Sequence, residues 1–305
     1  MRVLLTGGAG LIGSHTAEAL IECQHEVLVL DNFSTGREEW LPPGCMYYHG
    51  DITDAGMVGG IFDDFKPEVV CHLAAQASAS KSWYSPRGDL NDNANGTLVL
   101  LEIGANRNLK HFVYASSAAV YGQPAAQVPD PTIPETCRMQ PTCPYGVSKA
   151  AAESYVRLLA PSFTILRYSN VYGPRQAPLG DNQVIPKCIA HCRSPHPPFK
   201  IRGDGQQLRD FIYVEDVAIA NLLAVEVQPK GIYNVSTGKG TSVQIVCDII
   251  AHDMEFVGSF QHEEALPYEP RDLVLDPRRF MNATGWKATM AIREGIERTV
   301  DWHAG

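Results

Sequence analysis

Nowhere in this chain do about 18 apolar residues run together, which excludes a hydrophobic helix long enough to span a bilayer. Basic residues are scarce, with 25 Lys and Arg against 34 Asp and Glu and a net charge of -9. That balance excludes a broadly basic face of the kind that neutralises nucleic-acid phosphates, leaving room only for a local basic pocket. Internal repeats, low-complexity tracts and long polar linkers are absent as well. The eight cysteines, at 23, 45, 71, 137, 143, 188, 192 and 247, are not packed into a small disulfide scaffold, so reduced thiols are expected. Cys188 and Cys192 stand one helical turn apart with His191 between them. They lack a second ligand pair at matching spacing, so they read as packing residues and no metal is expected. The opening MRVLLTGGAGLIG has an apolar run of only three residues before Thr6-Gly7-Gly8 breaks it, which suits a strand and not a secretory leader. The expectation is a soluble cytoplasmic protein without nucleic-acid or membrane partners.

What the chain does have is 305 residues at 45% hydrophobic content, enough for one large or two modest cores. Strand-like apolar runs recur at Val3 to Thr6, Val27 to Leu30, Met46 to His49, Val69 to Leu73, Phe112 to Ala115 and Thr164 to Tyr168. Helix-period stretches separate most of them. Ile12, Thr16, Ala19, Leu20 and Cys23 share one helical face, as a helix covering a sheet requires. Strand then helix, repeated, predicts an α/β fold with a doubly wound parallel sheet, Rossmann-like. Beyond residue 168, Pro174, Pro178, Pro186, Pro195, Pro197 and Pro198 break the alternation. Phe211 to Val214 and Tyr233 to Val235 read as short strands returning to the first sheet. The predicted division is 1–167 plus about 211–235 for a dinucleotide domain, with about 168–210 and 236–305 as a smaller, interleaved C-terminal substrate domain.

Gly7, Gly10 and Gly13 follow the first strand and open the first helix. Gly7 permits the tight turn, Gly10 lets a pyrophosphate approach the backbone, and Gly13 lets helix and strand pack closely. The N–H groups of the helix start face the phosphates. Asp31 ends the second strand, where a carboxylate accepts from ribose hydroxyls and repels a 2′-phosphate, pointing to NAD over NADP. Asp51 and Ile52 follow the third strand and could bracket the adenine. A glycine-rich turn with an incidental acid is the bland alternative, but strand, glycines, helix and acid stand here in the required order.

Tyr145 and Lys149 are four residues apart in a helix-compatible stretch, which places phenol and ammonium on one face. A phenol near pKa 10 is a poor base at neutral pH, and a neighbouring ammonium stabilises its phenolate. Tyr145 could then exchange a proton with a sugar hydroxyl while hydride moves to or from a nicotinamide. Ser116 and Ser117 come after the fifth strand, at the carboxyl end of the sheet where ligands bind in this architecture. Alone, Y-x-x-x-K is common on surface helices; beside a strand-end serine and a dinucleotide loop it reads as an acid/base pair.

Eight segments then stand in order: TGGAGLIGSH (6–15), DNFSTGR (31–37), HLAAQ (72–76), NANGT (93–97), SSAAVYG (116–122), YGVSK (145–149), RYSNVYGPRQ (167–176) and GDGQQLRDFIYVEDVA (203–218). Together they resemble the NAD-dependent epimerase/dehydratase family over nearly the whole chain, weakening after about residue 240. The resemblance implies Ser117 as catalytic hydroxyl, Tyr145 as acid/base and Lys149 as its support. It implies a cofactor cleft lined by Leu11, Ile12, Asn32, Ser34, Thr35, Gly36, Leu73, Ala74, Ala75, Asn95, Ser116 and Tyr168 besides the residues above. Asn170, Gln183, Val184 and Arg209, with Ser117 and Tyr145, would hold a UDP-sugar. The implied reaction is 4-epimerisation of a UDP-hexose, plain or N-acetylated, through a transient 4-keto sugar and tightly held NAD. Ala118 and Ala119 stand where family 4,6-dehydratases carry an acid pair and near where GDP-fucose-forming enzymes carry a cysteine, which disfavours both.

One departure concerns an arginine that many members place before a Gly-Asp pair; the segment here runs Leu266-Pro267-Tyr268-Glu269-Pro270-Arg271, and Arg271 either supplies that phosphate contact or matches a different family arginine. UDP-glucuronate 4-epimerase or decarboxylase is the near alternative. A net oxidoreductase would use the same groups but release NADH, and a non-catalytic NAD-sensing protein could dispense with Tyr145 and Lys149. The family implies a homodimer through helices near Asn91 to Asn106 and Tyr145 to Leu159, although Val99, Leu100, Ile103, Tyr155 and Leu159 could equally be core. His49, His72 and His111 read as structural.

Overall fold

The structure, a computed structural model, describes residues 1–123, 132–177, 183–194, 198–266 and 269–304. Pro178, Pro195 and Pro197 lie outside them. Seven strands form one parallel sheet: β1 (Arg2–Thr6), β2 (Glu26–Asp31), β3 (Met46–His49), β4 (Val69–His72), β5 (His111–Ser117), β6 (Phe163–Tyr168) and β7 (Gly231–Val235). Their spatial order is β7-β6-β5-β4-β1-β2-β3. The first connection leaves β1 for β2 and the third returns to β4 on the other side of β1, so a crevice opens above the carboxyl ends of β1 and β4.

Alternation of side chains sends each strand's apolar residues into two cores. Val3, Leu5, Val27 and Val29 pack beneath α1 (Leu11–Glu22) and the later helix Val214–Val227. Leu4, Leu28, Leu30 and Val70 pack on the opposite face beneath α2 (Ala55–Phe65), α3 (Gly96–Ala105) and α4 (Pro144–Leu159). Val3, Leu4 and Leu5 are fully buried, each contributing about 2 kcal/mol by leaving water, which anchors the sheet at β1. A third core holds Tyr172, Ile185, Cys188, Phe211, Val246, Cys247 and Ile296, and gathers the helices Val184–Arg193, Val243–Asp253 and Ile292–Ala304.

Gly231–Val235 joins the main sheet alongside β6, as its apolar pattern suggested. Phe211–Tyr213 is a strand but pairs with Asn170–Tyr172 in a separate two-stranded parallel ladder. Its alternation explains the placement: Phe211 and Tyr213 enter the third core while Ile212 enters the first. The helix expected from Asn91 is interrupted, with a π-helical turn over Asn91–Asn95 preceding α3. Leu100 is core, Val99 and Ile103 pack against it, and Tyr155 and Leu159 face outward. His72 and His111 are buried inside the sheet, bonded to threonine and serine hydroxyls, and burial holds them far down at about 3 and about 4. Cys188 lies against Cys192 and Cys247, and no group able to hold a metal ion occurs among the described residues.

Candidate active site

At the crevice, Gly7 has φ +71°, and a Cβ there would stand 2.5 Å from the Ala74 backbone nitrogen. A Cβ on Gly13 would lie 2.0 Å from the Gly7 carbonyl oxygen. The glycines are therefore demanded by the turn and by the helix-to-strand approach. Gly10 meets little within reach and occupies the N-cap of α1, where no side chain caps the helix and no acid stands in the first turn. Its orphan N–H groups and positive dipole end are left for an anion, with Leu11 and Ile12 in that same turn. Leu73 and Ala74 cross directly behind, their N–H groups donating to the Thr6 carbonyl (3.0 Å) and Oγ1 (3.3 Å).

Asp31 accepts from the N–H groups of Ala9 (2.9 Å) and Phe33 (2.8 Å), which ties the strand end to the glycine loop. Burial nonetheless raises its carboxyl above the ordinary value. Beside it a cavity of about 540 Å³ is lined by Phe33, Gly36, Arg37, Tyr47 and His49, with the acidic residues Glu38 and Glu39 also on its wall. Ser34 donates its N–H to Asn32 Oδ1 (3.0 Å), and Asn32 in turn donates to Asp51 (2.9 Å). Asp51 also accepts from Thr53, while the Ile52 side chain belongs to the core. Glycine loop, uncapped helix start, strand-end acid and ring-sized cavity together fit a dinucleotide.

Pro144 at the first position of α4 pre-sets the helix, and Tyr145 N–H donates to Ser82 Oγ (3.1 Å). Burial pushes the Tyr145 phenol up to about 12, against which a hydrogen bond with Ser117 works in the other direction. Ser117 Oγ also accepts from Ala119 N–H (3.1 Å), which caps the short turn Ala118–Val120. Lys149 is buried, lowered by desolvation to about 8, and donates to the Ala115 carbonyl (2.9 Å) while lying 5.0 Å over the Tyr114 ring. The structure thus joins Ser117 to Tyr145, with Lys149 buried one helical turn further along α4. The ammonium is aimed at the end of β5, however, so within the protein alone burial outweighs any pull it exerts on the phenol.

Several partners escaped the sequence reading. Ser116 Oγ donates to Glu153, which also accepts from Arg167 Nε (2.9 Å) and Nη2 (2.6 Å) in a buried ion pair. Arg167 Nη1 donates to Tyr121 Oη (3.0 Å), and that hydroxyl donates to Asn234 (2.8 Å). Asp89 accepts from Ser148 Oγ (2.6 Å), Gln76 Nε2 (2.8 Å) and Asn93 Nδ2 (3.1 Å). One signal was available: Glu153 is four residues past Lys149, on the inward face of an amphipathic helix, where a charge needs a partner.

Other candidates sit apart from the crevice chemistry. Tyr168 is packed under α1, its hydroxyl donating to Asn221 Oδ1 (2.5 Å). Asn95 is exposed and donates to Asn91 (3.2 Å). Toward the third core, Asn170 N–H donates to the Asp210 carbonyl (2.8 Å), and Gln183 precedes Val184 at the N-cap of its helix, its buried Oε1 without a partner among the described residues. Arg209 donates to the carbonyls of Leu208 (2.9 Å) and Arg271 (3.0 Å), and no ion pair to it occurs among the described residues. A desolvated guanidinium held by neutral oxygens keeps its charge available to a phosphate. The Arg271 guanidinium instead forms an exposed two-pronged pair with Asp204 (2.7 and 3.1 Å), so its backbone, not its fork, serves the Arg209 position.

A protein of Methanocaldococcus jannaschii is 40% identical over 306 residues, covering 98% of this chain and 97% of its own length. The UDP-glucose 4-epimerase of Thermotoga maritima, solved with UDP-glucose, is 36% identical with a TM-score of 0.92, covering 100% of this chain and 99% of that one. The Thermus thermophilus UDP-glucose 4-epimerase, solved with NAD, is 37% identical with a TM-score of 0.91 over 100% and 99% of the two chains. Residues 3–236 match the NAD dependent epimerase/dehydratase family. With that match over most of its length and full-length relatives at 36–40% identity, the chain belongs to that family.

Proposed function

We propose that this protein interconverts the C4 epimers of a UDP-hexose, glucose with galactose or their N-acetyl forms, through a transient 4-keto sugar. The observation that carries the reading is the meeting of Ser117 and Tyr145 beside a cradle fit for NAD, with the uncharged Ala118 and Ala119 following. NAD, when bound, supplies a reversible hydride acceptor. As phenolate, a form that the cationic nicotinamide ring would favour when NAD is bound, Tyr145 would take the proton from the sugar O4 hydroxyl as the carbonyl forms and return it when the alcohol is restored. Ser117, bonded to that phenol, orients the same oxygen. Ala118 and Ala119 offer no group to remove a C5 proton, which favours epimerisation over elimination. Arg209 holds the diphosphate, with Asn170, Gln183 and Val184 around the nucleotide.

Residues 1–167 with about 211–235 act as the dinucleotide unit, the helix Val214–Val227 covering the first core and Gly231–Val235 extending the sheet, and the third core carries the UDP-sugar. The outward Tyr155, Leu158 and Leu159 of α4 and Leu90 support a homodimer, since such a stripe is unusual on a surface that stays wet. No helix among the described residues is long and apolar enough to cross a membrane, and a cytoplasmic setting suits the reduced thiols. The test is an NMR time course with UDP-glucose, UDP-galactose, their N-acetyl forms and UDP-glucuronate, without added reductant. Conversion of a hexose to its C4 epimer without NADH release is expected; steady NADH release, or a product lacking C6, would overturn the reading.

A further inference from the structure

We infer that Asp89 is a positioning residue for the acid/base pair: its buried carboxylate fastens the Gln76 loop to the first turn of α4 and sets the field in which Lys149 keeps its proton. The inference rests on the reaction proposed above for its kinetic consequence, but not for its titration.

Asp89 is 2% exposed, on the short helix Pro86–Leu90 that leads into the π-helical turn. Its oxygens take one bond from Ser148, the residue before Lys149, one from Gln76 at the cofactor crevice, and one from Asn93. Asn93 closes the ring by accepting from Gln76 N–H (2.9 Å), the two hydrogens of its own amide being shared among Asp89, the Gln76 carbonyl (3.1 Å) and Ser148 Oγ (3.0 Å). Three separate segments are thereby pinned to one carboxylate; an amide in its place could keep both bonds on the oxygen that Gln76 and Asn93 share, while the Ser148 hydroxyl could turn to the Tyr145 carbonyl (3.0 Å).

The partners of Asp89 are all neutral, so its charge is not cancelled. Glu153, the other carboxylate acting on Lys149, is spent on Arg167. The remaining neighbours are poor counter-charges: His72 on β4 is held neutral by burial, Tyr114 on β5 is pushed above the ordinary phenol range, and burial raises the Cys143 thiol. Asp92 adds like charge to Asp89 from the π-turn, and Tyr145 carries a proton. Asp89 is thus the group that offsets the desolvation of Lys149 most strongly, and it simultaneously discourages early loss of the Tyr145 proton.

The test uses the NAD-loaded protein with Asp89→Asn, which keeps size and acceptor oxygen but removes the charge. The Lys149 titration, followed by NMR of labelled lysine and assigned with Lys149→Met, should fall by about one pH unit. The pH–rate profile for UDP-hexose turnover should move acidward by a similar amount, because phenol and ammonium both lose their proton more readily. Ser148→Ala, which cuts a bond and leaves the charge, should lower kcat with the profile unmoved. An unshifted Lys149 midpoint in a folded Asp89→Asn protein overturns the inference, as does an acidward shift in Ser148→Ala should Asp89→Asn not accumulate folded. A shifted midpoint in a protein that turns over no UDP-hexose leaves the inference standing and removes the proposed reaction.

Discussion

Replacing Arg167 with methionine is the severest single change the buried interior suggests. Arg167 is 2% exposed and Glu153 is fully buried, and the guanidinium supplies two of the three bonds that Glu153 accepts. Burial alone would depress the Arg167 guanidinium, yet the Glu153 carboxylate and the Tyr121 ring 4.8 Å away hold it above its ordinary range. Methionine fills much of the space but leaves Glu153 with one hydroxyl donor. An uncompensated buried charge of this kind costs about 3–5 kcal/mol, a large share of a total stability of about 5–15 kcal/mol. Urea unfolding with saturating NAD at fixed protein concentration reads the loss. Glu153→Gln combined with Arg167→Met should recover more than half the loss. A single variant within about 1 kcal/mol of the parent, or a double variant no better than the single, would refute the assignment of the ion pair as a mutual dependence.

Tyr145→Phe should retain NAD, measured by its absorbance after gel filtration, while turnover falls by about 10²–10⁴-fold. Full turnover would sink the role given to the phenol. Asp31→Ala should weaken NAD and narrow the NAD/NADP gap in calorimetric titrations, because acceptor and repulsive charge leave together; an unchanged ratio would place the selector elsewhere. Lys149 titrates about 8, so its ammonium is present below that pH and lost as pH rises through it, and kcat should fall on the alkaline side from there. A rate flat to pH 10 would contradict that dependence.

The parts of this molecule that local chemistry dictates were legible in the sequence. β1, the glycine turn and α1 follow from a short apolar run and three small residues, and Gly7 and Gly13 are explained by contacts within the same turn or the adjacent loop. Tyr145 and Lys149 stand one turn apart on α4 because helical spacing alone puts them there. What escaped required knowing a partner across the fold. Phe211–Tyr213 has a strand's composition, but its choice of Asn170–Tyr172 over the main sheet depends on which core receives each face. Asp89, Glu153 and Arg167 look like ordinary charges until their distant donors and acceptors are placed around them. The contact of the Arg271 carbonyl with Arg209 likewise depends on a pairing across the fold.

The strand Gly231–Val235 lies against Phe163–Tyr168 with the whole of the intervening excursion between them. During synthesis, therefore, the sheet cannot acquire its last edge until residue 235 has cleared the ribosome, and the half assembled by then must wait with the backbone of β6 unpaired. Premature termination in the excursion would release a chain offering that bare edge to any neighbour. The interleaving thus works against autonomous use of the nucleotide-binding half, and ties its completion in time to the arrival of the segment that follows the second half's first elements.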